Sequence, residues 1–224
     1  MADRYEDLRY YWNEVFSHAP AYTVDAKLPY PELVEGVRWL GEEANYVVDF
    51  GCGTGKALFA SMKYGVKRGL GIDISDKAVA LATEAVDKSP WESDKCRFVQ
   101  GGVDALANLE DGSVDGMILF NILDNLHPED GLKLIAETGR VLKKGGALLL
   151  KLNPVFEDEV FTQDPDFTPV ADNCWQEESG LLFWNLDLDQ LDDLLEPYFT
   201  AVKGFDVEMA DFETVNRLYM LKRK

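Results

Sequence analysis

The sequence is poor in basic residues, and this scarcity limits what the protein can bind. Its 224 residues include 22 Lys and Arg against 41 Asp and Glu, which gives a formal net charge of −19. Nucleic-acid binding depends on basic side chains that neutralise phosphates, so the sequence disfavours DNA or RNA as a substrate. The same acidity disfavours attachment to an anionic membrane surface through a basic helix.

Cysteine is also scarce, and Cys52, Cys96 and Cys174 are an odd number at wide spacing. This pattern predicts reduced thiols rather than a disulfide framework or a zinc site, and no bound metal is expected. No apolar run is long enough to cross a membrane, and "MADRYEDLRYYWNEVF" at the N-terminus lacks the apolar core of a secretory signal. We therefore expect a cytoplasmic protein with no membrane partner, and the sequence carries no sign of its oligomeric state.

Apolar segments alternate with segments of helical spacing through the middle of the chain. Runs with the character of buried strands occupy 46–50, 68–75, 96–102, 113–121 and 147–153. Strands that are apolar almost throughout are typical of a parallel sheet covered on both faces by helices. Two further β-rich stretches, 201–209 and 215–223, predict an antiparallel pair at the C-terminus. The predicted fold is thus α/β, doubly wound, with a mostly parallel sheet of seven strands.

Three glycines within five positions follow the first strand, in "VVDFGCGTGKALF" at residues 47–59. Such loops bind phosphates or nucleotides, because glycine lets the backbone turn sharply and approach a ligand closely. A P-loop is excluded, since only three residues separate Gly51 from Gly55-Lys56 and Ala57 has no hydroxyl for magnesium. A dinucleotide fingerprint fits imperfectly, because its third glycine falls one place early. The loop alone leaves dinucleotide binding open.

The wider pattern of apolar strand, Asp49, one further residue and G-x-G-x-G resembles motif I of the class I S-adenosylmethionine-dependent methyltransferases. Downstream, "RVLKKGG" at 140–146 resembles the "RVLKPGG" turn of that family, with Lys144 in place of proline. The resemblance extends over about residues 45–153. It implies a Rossmann-like fold, S-adenosyl-L-methionine as the cofactor and S-adenosyl-L-homocysteine as the product.

The resemblance also implies a set of cofactor-binding residues. Asp49 would accept hydrogen bonds from the loop or from the methionine ammonium group, and Asp73 would accept them from both ribose hydroxyls, as the equivalent acid of dinucleotide folds also does. Ile74 would cover one face of the adenine. An Asp followed by a small residue, here within "GGVDA" where a shorter "GDA" is common, would meet the adenine amino group. The predicted set is Asp49, Gly51, Cys52, Gly53, Gly55, Asp73, Ile74, Asp104, Ala105 and Asn121.

The methyl acceptor is predicted to bind above the carboxyl ends of the strands. Methyl transfer needs a general base only when the acceptor arrives protonated, so the sequence names no certain catalyst. His127 is a candidate base or a helix cap, and Asp124 is a candidate partner for a cationic amine or a solvated side chain. Aromatic residues form either a lid suited to the sulfonium charge or ordinary packing. The candidates for substrate contact are Tyr11, Trp12, Tyr22 and Trp175.

We therefore expect one methyltransferase domain over residues 1–224. Its parts are an N-terminal helical cover (1–40), a cofactor-binding core (41–153), a substrate or lid insertion (154–185) and a C-terminal helix with the β-pair (186–224). Within the insertion, residues 154–180 are predicted to be a loop. The predicted activity is methyl transfer to a small-molecule acceptor by in-line displacement. The alternatives are a non-catalytic member of the fold that binds cofactor or protein, and an NAD-dependent oxidoreductase.

Overall fold

The computed structural model describes residues 4–20, 23–25, 27–89, 95–209 and 213–224. Its helices are α1 (Glu6–Ser17), α2 (Pro31–Glu43), α3 (Lys56–Lys63), α4 (Asp76–Asp87), α5 (Pro128–Val141), α6 (Asp158–Thr162) and α7 (Leu188–Leu195). Its strands are β1 (Tyr46–Phe50), β2 (Arg68–Asp73), β3 (Cys96–Gln100), β4 (Val114–Phe120), β5 (Leu142–Leu152), β6 (Phe167–Ala171), β7 (Cys174–Glu177), β8 (Leu182–Trp184), β9 (Phe199–Met209) and β10 (Thr214–Arg223). Short 3-10 helices follow β3 and β4, at Val103–Asn108 and Leu123–Asn125.

Seven strands form one sheet in the order β3-β2-β1-β4-β5-β10-β9. Strands β1 to β5 are parallel, whereas β10 is antiparallel to both of its neighbours, β5 and β9. It follows that β9 runs in the direction of β1–β5 and that β10 is inserted between β5 and β9. The predicted fold class is confirmed: a mostly parallel sheet of seven strands with a C-terminal antiparallel pair and helices on both faces.

Both faces of this sheet are buried, which explains why its strands are apolar at nearly every position. Successive side chains of a strand point to opposite faces. In β1, Val48 joins the core under α5 and α7, while Val47 joins the core under α2, α3 and α4. In β5, Leu148 and Leu150 belong to the first core and Leu149 contacts the opposite side. Packing on both faces holds the carboxyl ends of β1–β5 together along one edge.

Residues 154–180, predicted as a loop, contain α6 and two strands that combine with β8 into a separate small sheet, β6-β7-β8. The prediction was wrong because β6 and β7 are short, β6 is largely exposed and β7 is mostly half-buried, so neither shows a clear apolar alternation. A tight turn at Asn173, with a φ of 52°, joins the two strands. Their aromatic side chains pack around Phe161, whose ring stacks on Trp175 with centroids 4.4 Å apart.

The start of β5 also differs from the sequence prediction, which placed a turn at 140–146 and the strand at 147–153. The strand begins at Leu142 and passes through this segment with a register shift against β4 between Val114 and Gly116. Gly145 absorbs the irregularity with a φ of 76°. No helix among the described residues is long and apolar enough to cross a membrane.

Candidate active site

A cavity of about 990 Å³ lies at the carboxyl ends of the parallel strands. It is lined by Phe50 and Gly51 at the end of β1, Asp73 at the end of β2 and Phe120 at the end of β4. The strand order reverses between β1 and β4, and open α/β sheets bind ligands at such a point. The volume is at the upper end of the range of about 300–1,000 Å³ for small-molecule sites, so it has room for a cofactor and a second ligand.

The glycine loop forms one wall of the cavity with its backbone. Gly51, Gly53 and Gly55 have positive φ angles of 75°, 50° and 81°, a region that residues with side chains rarely adopt. A Cβ atom on Gly51 would lie 2.0 Å from Cδ1 of Ile122, so the loop passes directly beneath the chain that follows β4. Gly51 and Gly53 line the cavity, whereas Gly55 caps the N-terminus of α3 and does not.

Cys52, between these glycines, turns its side chain away from the cavity. Its Sγ would be 2.8 Å from a Cβ atom on Gly71, which places it in the core between the loop and β2. Burial raises the pKa of the thiol well above its ordinary value, so the side chain stays neutral and unreactive. Its backbone amide donates to the Ile72 carbonyl at 3.1 Å. The geometry is that of a packing group within the loop.

Asp73 joins β2 to the glycine loop. Its Oδ2 accepts a hydrogen bond from the Gly53 amide at 2.7 Å, and its Oδ1 accepts one from the Ser75 amide at 2.9 Å. Each carboxylate oxygen has a second lone pair, so Asp73 retains accepting capacity toward the cavity that it lines. Burial raises the pKa of Asp73, and the backbone amides oppose that rise. The neighbouring Ile74 lines the same part of the cavity with an apolar surface.

Asp49 lies beneath the loop and does not line the cavity. The residue is 2% exposed, and its Oδ2 has no hydrogen-bond partner among the described residues. Burial, followed by repulsion from Asp73, raises the pKa of Asp49 to about 8, and a hydrogen bond from the Leu58 backbone opposes the rise. The carboxyl group is therefore largely protonated at neutral pH. It supports the loop and α3 from below, where the structure gives it no direct path to a ligand in the cavity.

The chain after β3 forms the wall beside Ile74. Gly101, Gly102 and Asp104 line the cavity there. The Asp104 side chain is 90% exposed and pairs with Lys133 of α5. Ala105 does not line the cavity, and its Cβ lies 2.7 Å from where a Cβ on Gly101 would be. Of the predicted pair, the structure therefore brings Asp104 to the cavity and leaves Ala105 as packing.

A polar cluster at the ends of β4 and β5 forms the opposite end of the cavity. Lys151 Nζ donates to Asn121 Oδ1, Asn121 Nδ2 donates to Asn153 Oδ1, and all three residues line the cavity. Asn121 has a φ of 54°, and its backbone N–H donates to the Lys151 backbone carbonyl at 2.8 Å. Lys151 is 6% exposed. Burial lowers the pKa of its amine to about 8, against an opposing effect of Asp124.

The two catalytic candidates from the sequence, Asp124 and His127, do not line the cavity. Asp124 is buried behind the polar cluster, where its Oδ2 accepts a hydrogen bond from the Asn153 amide at 2.6 Å. Burial raises the pKa of Asp124 to about 6. His127 is the N-cap of α5, and its Nδ1 accepts from the Glu129 amide at 3.4 Å. The structure thus gives Asp124 and His127 structural contacts, and their proposed chemical roles remain predictions.

Helix α1 closes the cavity from above with one face, which carries Leu8, Tyr11, Trp12 and Phe16. Both ends of α1 are tied to the core. At one end the Tyr5 hydroxyl donates to Asp130 Oδ2 at 2.6 Å, and Arg4 pairs with the same carboxylate at 3.0 Å. At the other end Asn13 Nδ2 donates to Asp76 Oδ1 at 2.7 Å, and its Oδ1 accepts from the Ser75 hydroxyl at 2.6 Å.

The segment that contains the small sheet lines another side of the cavity through Phe156, Leu181 and Phe183. It also touches α1, because a Cβ on Gly180 would lie 2.8 Å from Cβ of Asp7. Of the predicted substrate contacts, Tyr11 and Trp12 line the cavity, Trp175 packs against Phe161 instead, and Tyr22 lies outside the described residues.

Sequence analysis missed Lys151, Asn153 and Phe156 as individual site residues. One signal was present in the chain: Lys151 is a single charged residue at the end of the apolar run "ALLLKLN". Charged side chains are rarely buried without a specific reason, so a lysine at this position indicates a functional role. Phe156 carried no such signal, because its place on the wall depends on how the segment that contains the small sheet packs.

Comparison with known proteins supports the resemblance to methyltransferases that the sequence motifs indicated. Residues 48–150 match the family described as "Methyltransferase domain". The chain is 34% identical over 116 residues to the tRNA N(3)-cytidine methyltransferase METTL2 of Danio rerio, covering 50% of this chain and 33% of that protein. It is 32% identical over 109 residues to the ribosomal protein L11 methyltransferase of Thermotoga maritima, covering 49% and 37% of the two chains. The chain thus spans well under half the length of either relative.

A solved structure shares the fold over the whole chain. The 1,6-didemethyltoxoflavin-N1-methyltransferase of Burkholderia thailandensis, with bound 1,6-didemethyltoxoflavin and S-adenosylhomocysteine, has a TM-score of 0.71 and 15% identity. The alignment covers 100% of this chain and 92% of that one. At this identity the likeness concerns the fold alone. The matched segment, the sheet order and this likeness in fold together support a class I S-adenosylmethionine-dependent methyltransferase.

Several residues that line the cavity have the chemistry that S-adenosylmethionine requires. Asp73 offers a carboxylate for hydroxyl groups, and Ile74 offers an apolar surface for a base. A Cβ on Gly102 would meet no atom within 4 Å, so this backbone faces open space that a ring can occupy. Gly51 and Gly53 bring backbone to the place where the methionine end would lie. Asn121, in the polar cluster, lines the same cavity.

Proposed function

We propose that the chain transfers a methyl group from S-adenosylmethionine to a small-molecule acceptor by in-line displacement. The observation that carries this proposal is the cover over the cavity: α1 and the segment that contains the small sheet contact each other, and both line the cavity together with Asn121, Lys151 and Asn153. A covered cavity of about 990 Å³ suits a small acceptor better than a long nucleic-acid or protein chain.

The chemistry needs little from the protein beyond position and exclusion of water. The cofactor supplies a methyl group that its sulfonium already activates. The glycine loop and Asp73 would fix one end of the reaction axis, and the polar cluster would fix the acceptor. The rings of Trp12 and Phe16 on α1 and of Phe156 and Phe183 on the other side would keep water away from the reacting atoms.

The names of the two relatives raise tRNA and ribosomal protein as acceptors, so the small-molecule acceptor needs its own support. The family match ends at residue 150, whereas α1 and the small sheet that cover the cavity lie outside it. A net charge of −19 also opposes binding of a phosphate backbone. Both observations favour a small acceptor that is neutral or carries little negative charge.

The cofactor roles of individual residues are part of this proposal. Asp73 would bind the ribose hydroxyls, Ile74 would cover the adenine, Asp104 would meet the adenine amino group and Asn121 would contact the methionine end. We also propose a cytoplasmic location, because Cys52, Cys96 and Cys174 are free and buried, as in a reducing compartment.

Calorimetry with S-adenosylhomocysteine and with NAD tests the cofactor. We expect the first to bind and NAD not to bind, and Asp73→Asn to weaken homocysteine-nucleoside binding by about 10–100-fold through lost charge-assisted hydrogen bonds. Asp87→Asn, at the exposed end of α4, is the matched control and should leave binding unchanged. NAD binding in place of S-adenosylhomocysteine would contradict the cofactor assignment.

Turnover tests the reaction. Release of S-adenosylhomocysteine would be measured with a panel of small hydroxyl, amine, thiol and carbon acceptors, alongside a tRNA and a ribosomal-protein arm. Turnover with a small acceptor is expected. Turnover only with tRNA or protein would overturn the small-molecule proposal, and tight cofactor binding without turnover on any arm would favour a non-catalytic member of the fold.

A further inference from the structure

Lys151 is an unusual residue for its position. It follows Leu148, Leu149 and Leu150, all fully buried in β5, and it is itself only 6% exposed. Burial of an amine without an ionic partner is costly, and proteins seldom retain one without a use for it. Its side chain ends at the cavity rather than in the core, because Lys151 is among the cavity-lining residues.

The amine of Lys151 keeps hydrogen-bonding capacity for a ligand. An ammonium group has three N–H donors, and the Lys151 Nζ uses one of them on Asn121 Oδ1. In the described part of the chain Lys151 forms no ion pair. Asp124 is the carboxylate whose charge acts on the Lys151 amine. Its Oδ2 already accepts a hydrogen bond from the Asn153 backbone amide. The remaining N–H donors of Lys151 are therefore available to a ligand in the cavity.

The charged groups around Lys151 come from two elements. Asp124 faces the cluster from the 3-10 helix after β4, and it favours the protonated amine. Arg217 reaches the cluster from β10 and donates from Nε to the Asn153 carbonyl at 3.1 Å. The other polar neighbours, Asn121 and Asn153, are neutral. Burial outweighs the effect of Asp124, so the pKa of Lys151 falls to about 8 and a neutral amine is accessible near physiological pH.

Aromatic rings line the cavity that this amine reaches. Phe120 ends β4, the strand that pairs with β5 in the register Phe120–Lys151. Phe183 lines the same cavity from β8 of the small sheet, and Phe156 lines it from the chain before α6. Ring faces and edges favour contact with another planar ring. The site therefore combines one proton-accepting or anion-binding group with surfaces suited to an aromatic ligand.

We propose that Lys151 contacts the methyl acceptor and takes its proton, and that the acceptor is a planar aromatic molecule with an acidic hydroxyl group. This inference rests on the proposed methyltransferase function. The hydroxyl proton passes to the neutral Nζ, an oxygen lone pair forms the O–CH₃ bond, and the S–CH₃ bond breaks with its electron pair left on sulfur. Sulfonium thus becomes a neutral thioether, and the Lys151 ammonium returns its proton to solvent.

The acidity of the two partners is matched for this step. A phenolic hydroxyl has an ordinary pKa of about 10, within about two units of the amine, whereas aliphatic alcohols are far weaker acids. Proton transfer from a phenol to Lys151 is therefore accessible, and transfer from an alkyl alcohol is not. This difference selects the acceptor class.

The probe for the test is 4-nitrophenol, whose phenolate absorbs visible light, added to the protein saturated with S-adenosylhomocysteine. At a pH about one unit below the probe's own pKa, Lys151 is protonated, and we expect wild-type protein to bind the probe in the phenolate form because the Lys151 ammonium stabilises the anion while the phenol's proton passes to solvent. Lys151→Met should weaken binding at least about tenfold and abolish the phenolate band. Lys144→Met, at an exposed position of the same strand, is the matched control and should behave as wild type. The ether 4-nitroanisole should bind wild type and Lys151→Met equally.

The outcomes distinguish failure of the proposed role of Lys151 from failure of the proposed methyltransferase function. Equal phenolate binding by Lys151→Met would overturn the role of Lys151. Loss of S-adenosylhomocysteine affinity in Lys151→Met would overturn it as well, because the lysine would then belong to the cofactor site. Failure of 4-nitrophenol to bind while S-adenosylhomocysteine binds would overturn the acceptor class and leave the methyltransferase assignment intact. Failure of S-adenosylhomocysteine itself to bind wild type would contradict the proposed function.

A kinetic arm uses any phenol that turns over. We expect kcat/KM to rise with pH through an apparent pKa of about 8 in wild type and in Lys144→Met. Lys151→Met should lose this rise, and Lys151→Arg should bind phenolates but also lose it, because a guanidinium does not give up its proton. An unchanged pH profile in Lys151→Met would contradict proton transfer to Lys151.

Discussion

The two ends of the cavity are built in different ways. At the cofactor end, one short loop presents backbone from Gly51 and Gly53, and a single carboxylate, Asp73, ties that loop to the next strand. At the acceptor end, side chains arrive from α1, the ends of β4 and β5, and the small sheet. The first end depends on backbone conformation within a local segment. The second depends on how distant segments pack, so it is the end where specificity for an acceptor is set.

The largest expected effect is at the cofactor end, where a side chain cannot be accommodated. Gly51→Val would place a β-branched residue at a φ of 75° with its Cβ 2.0 Å from Ile122 Cδ1. Backbone strain and the steric overlap together should weaken S-adenosylhomocysteine binding by at least about 100-fold, measured by calorimetry. Gly204→Val is the control, since a Cβ on this glycine of β9 would lie 3.6 Å from its nearest neighbour, Cδ1 of Tyr219. Affinity within a few-fold of wild type in Gly51→Val would mean that the loop adapts to a side chain and that this end of the cavity does not depend on a fixed backbone conformation.

The support beneath the loop should give a pH effect of intermediate size. Asp49 has a pKa of about 8 in the fold, against about 4 in the unfolded chain. The unfolded state therefore loses its proton first, and the contribution of Asp49 to stability declines as pH rises from about 4 through about 8. Each unit of difference corresponds to about 1.4 kcal/mol as an upper limit. Asp49→Asn should remove this part of the decline.

The measurement is the free energy of unfolding by urea between pH 5.5 and 8.5, compared between wild type and Asp49→Asn. The difference between the two proteins isolates Asp49 from other buried acids such as Asp124. Asp115→Asn is the control. Burial raises the pKa of Asp115, but its hydrogen bond to Lys143 and other contacts outweigh this and lower the pKa overall. Any contribution of Asp115 to the pH dependence of stability therefore occurs at more acidic pH than the range measured. Parallel curves for wild type and Asp49→Asn would show that Asp49 is ionised in the fold.

The smallest expected effect is at the cover of the acceptor end. Tyr5→Phe removes the hydroxyl that donates to Asp130 at 2.6 Å and so loosens one end of α1. A charge-assisted hydrogen bond of this kind contributes about 1.5 kcal/mol, so bound S-adenosylhomocysteine should dissociate about 5–10-fold faster by stopped-flow fluorescence. Tyr10→Phe is the control, because Tyr10 is 69% exposed on the same helix. Equal dissociation rates in both variants would show that α1 does not need this contact to stay closed.

Much of the fold could be predicted because its signals are local and repeated. Apolar strands alternate with helical segments, and burial on both faces forces the strands to be apolar throughout, so the parallel sheet was predictable from β1 to β5. The small sheet was not predictable, because β6 and β7 are short, lack an apolar alternation and pack through aromatic contacts around Phe161.

The same contrast applies to the site. The sequence by itself determined the cofactor end, because the conformations of Gly51, Gly53 and Gly55 and the place of Asp73 follow from residue types within one strand–loop–helix unit. Only the tertiary structure decided the acceptor end: it placed Trp175 in an aromatic core, His127 at a helix start and Lys151 beside the cavity. Local residue type dictates backbone geometry, whereas neighbours in space are set by the packing of segments far apart in the chain.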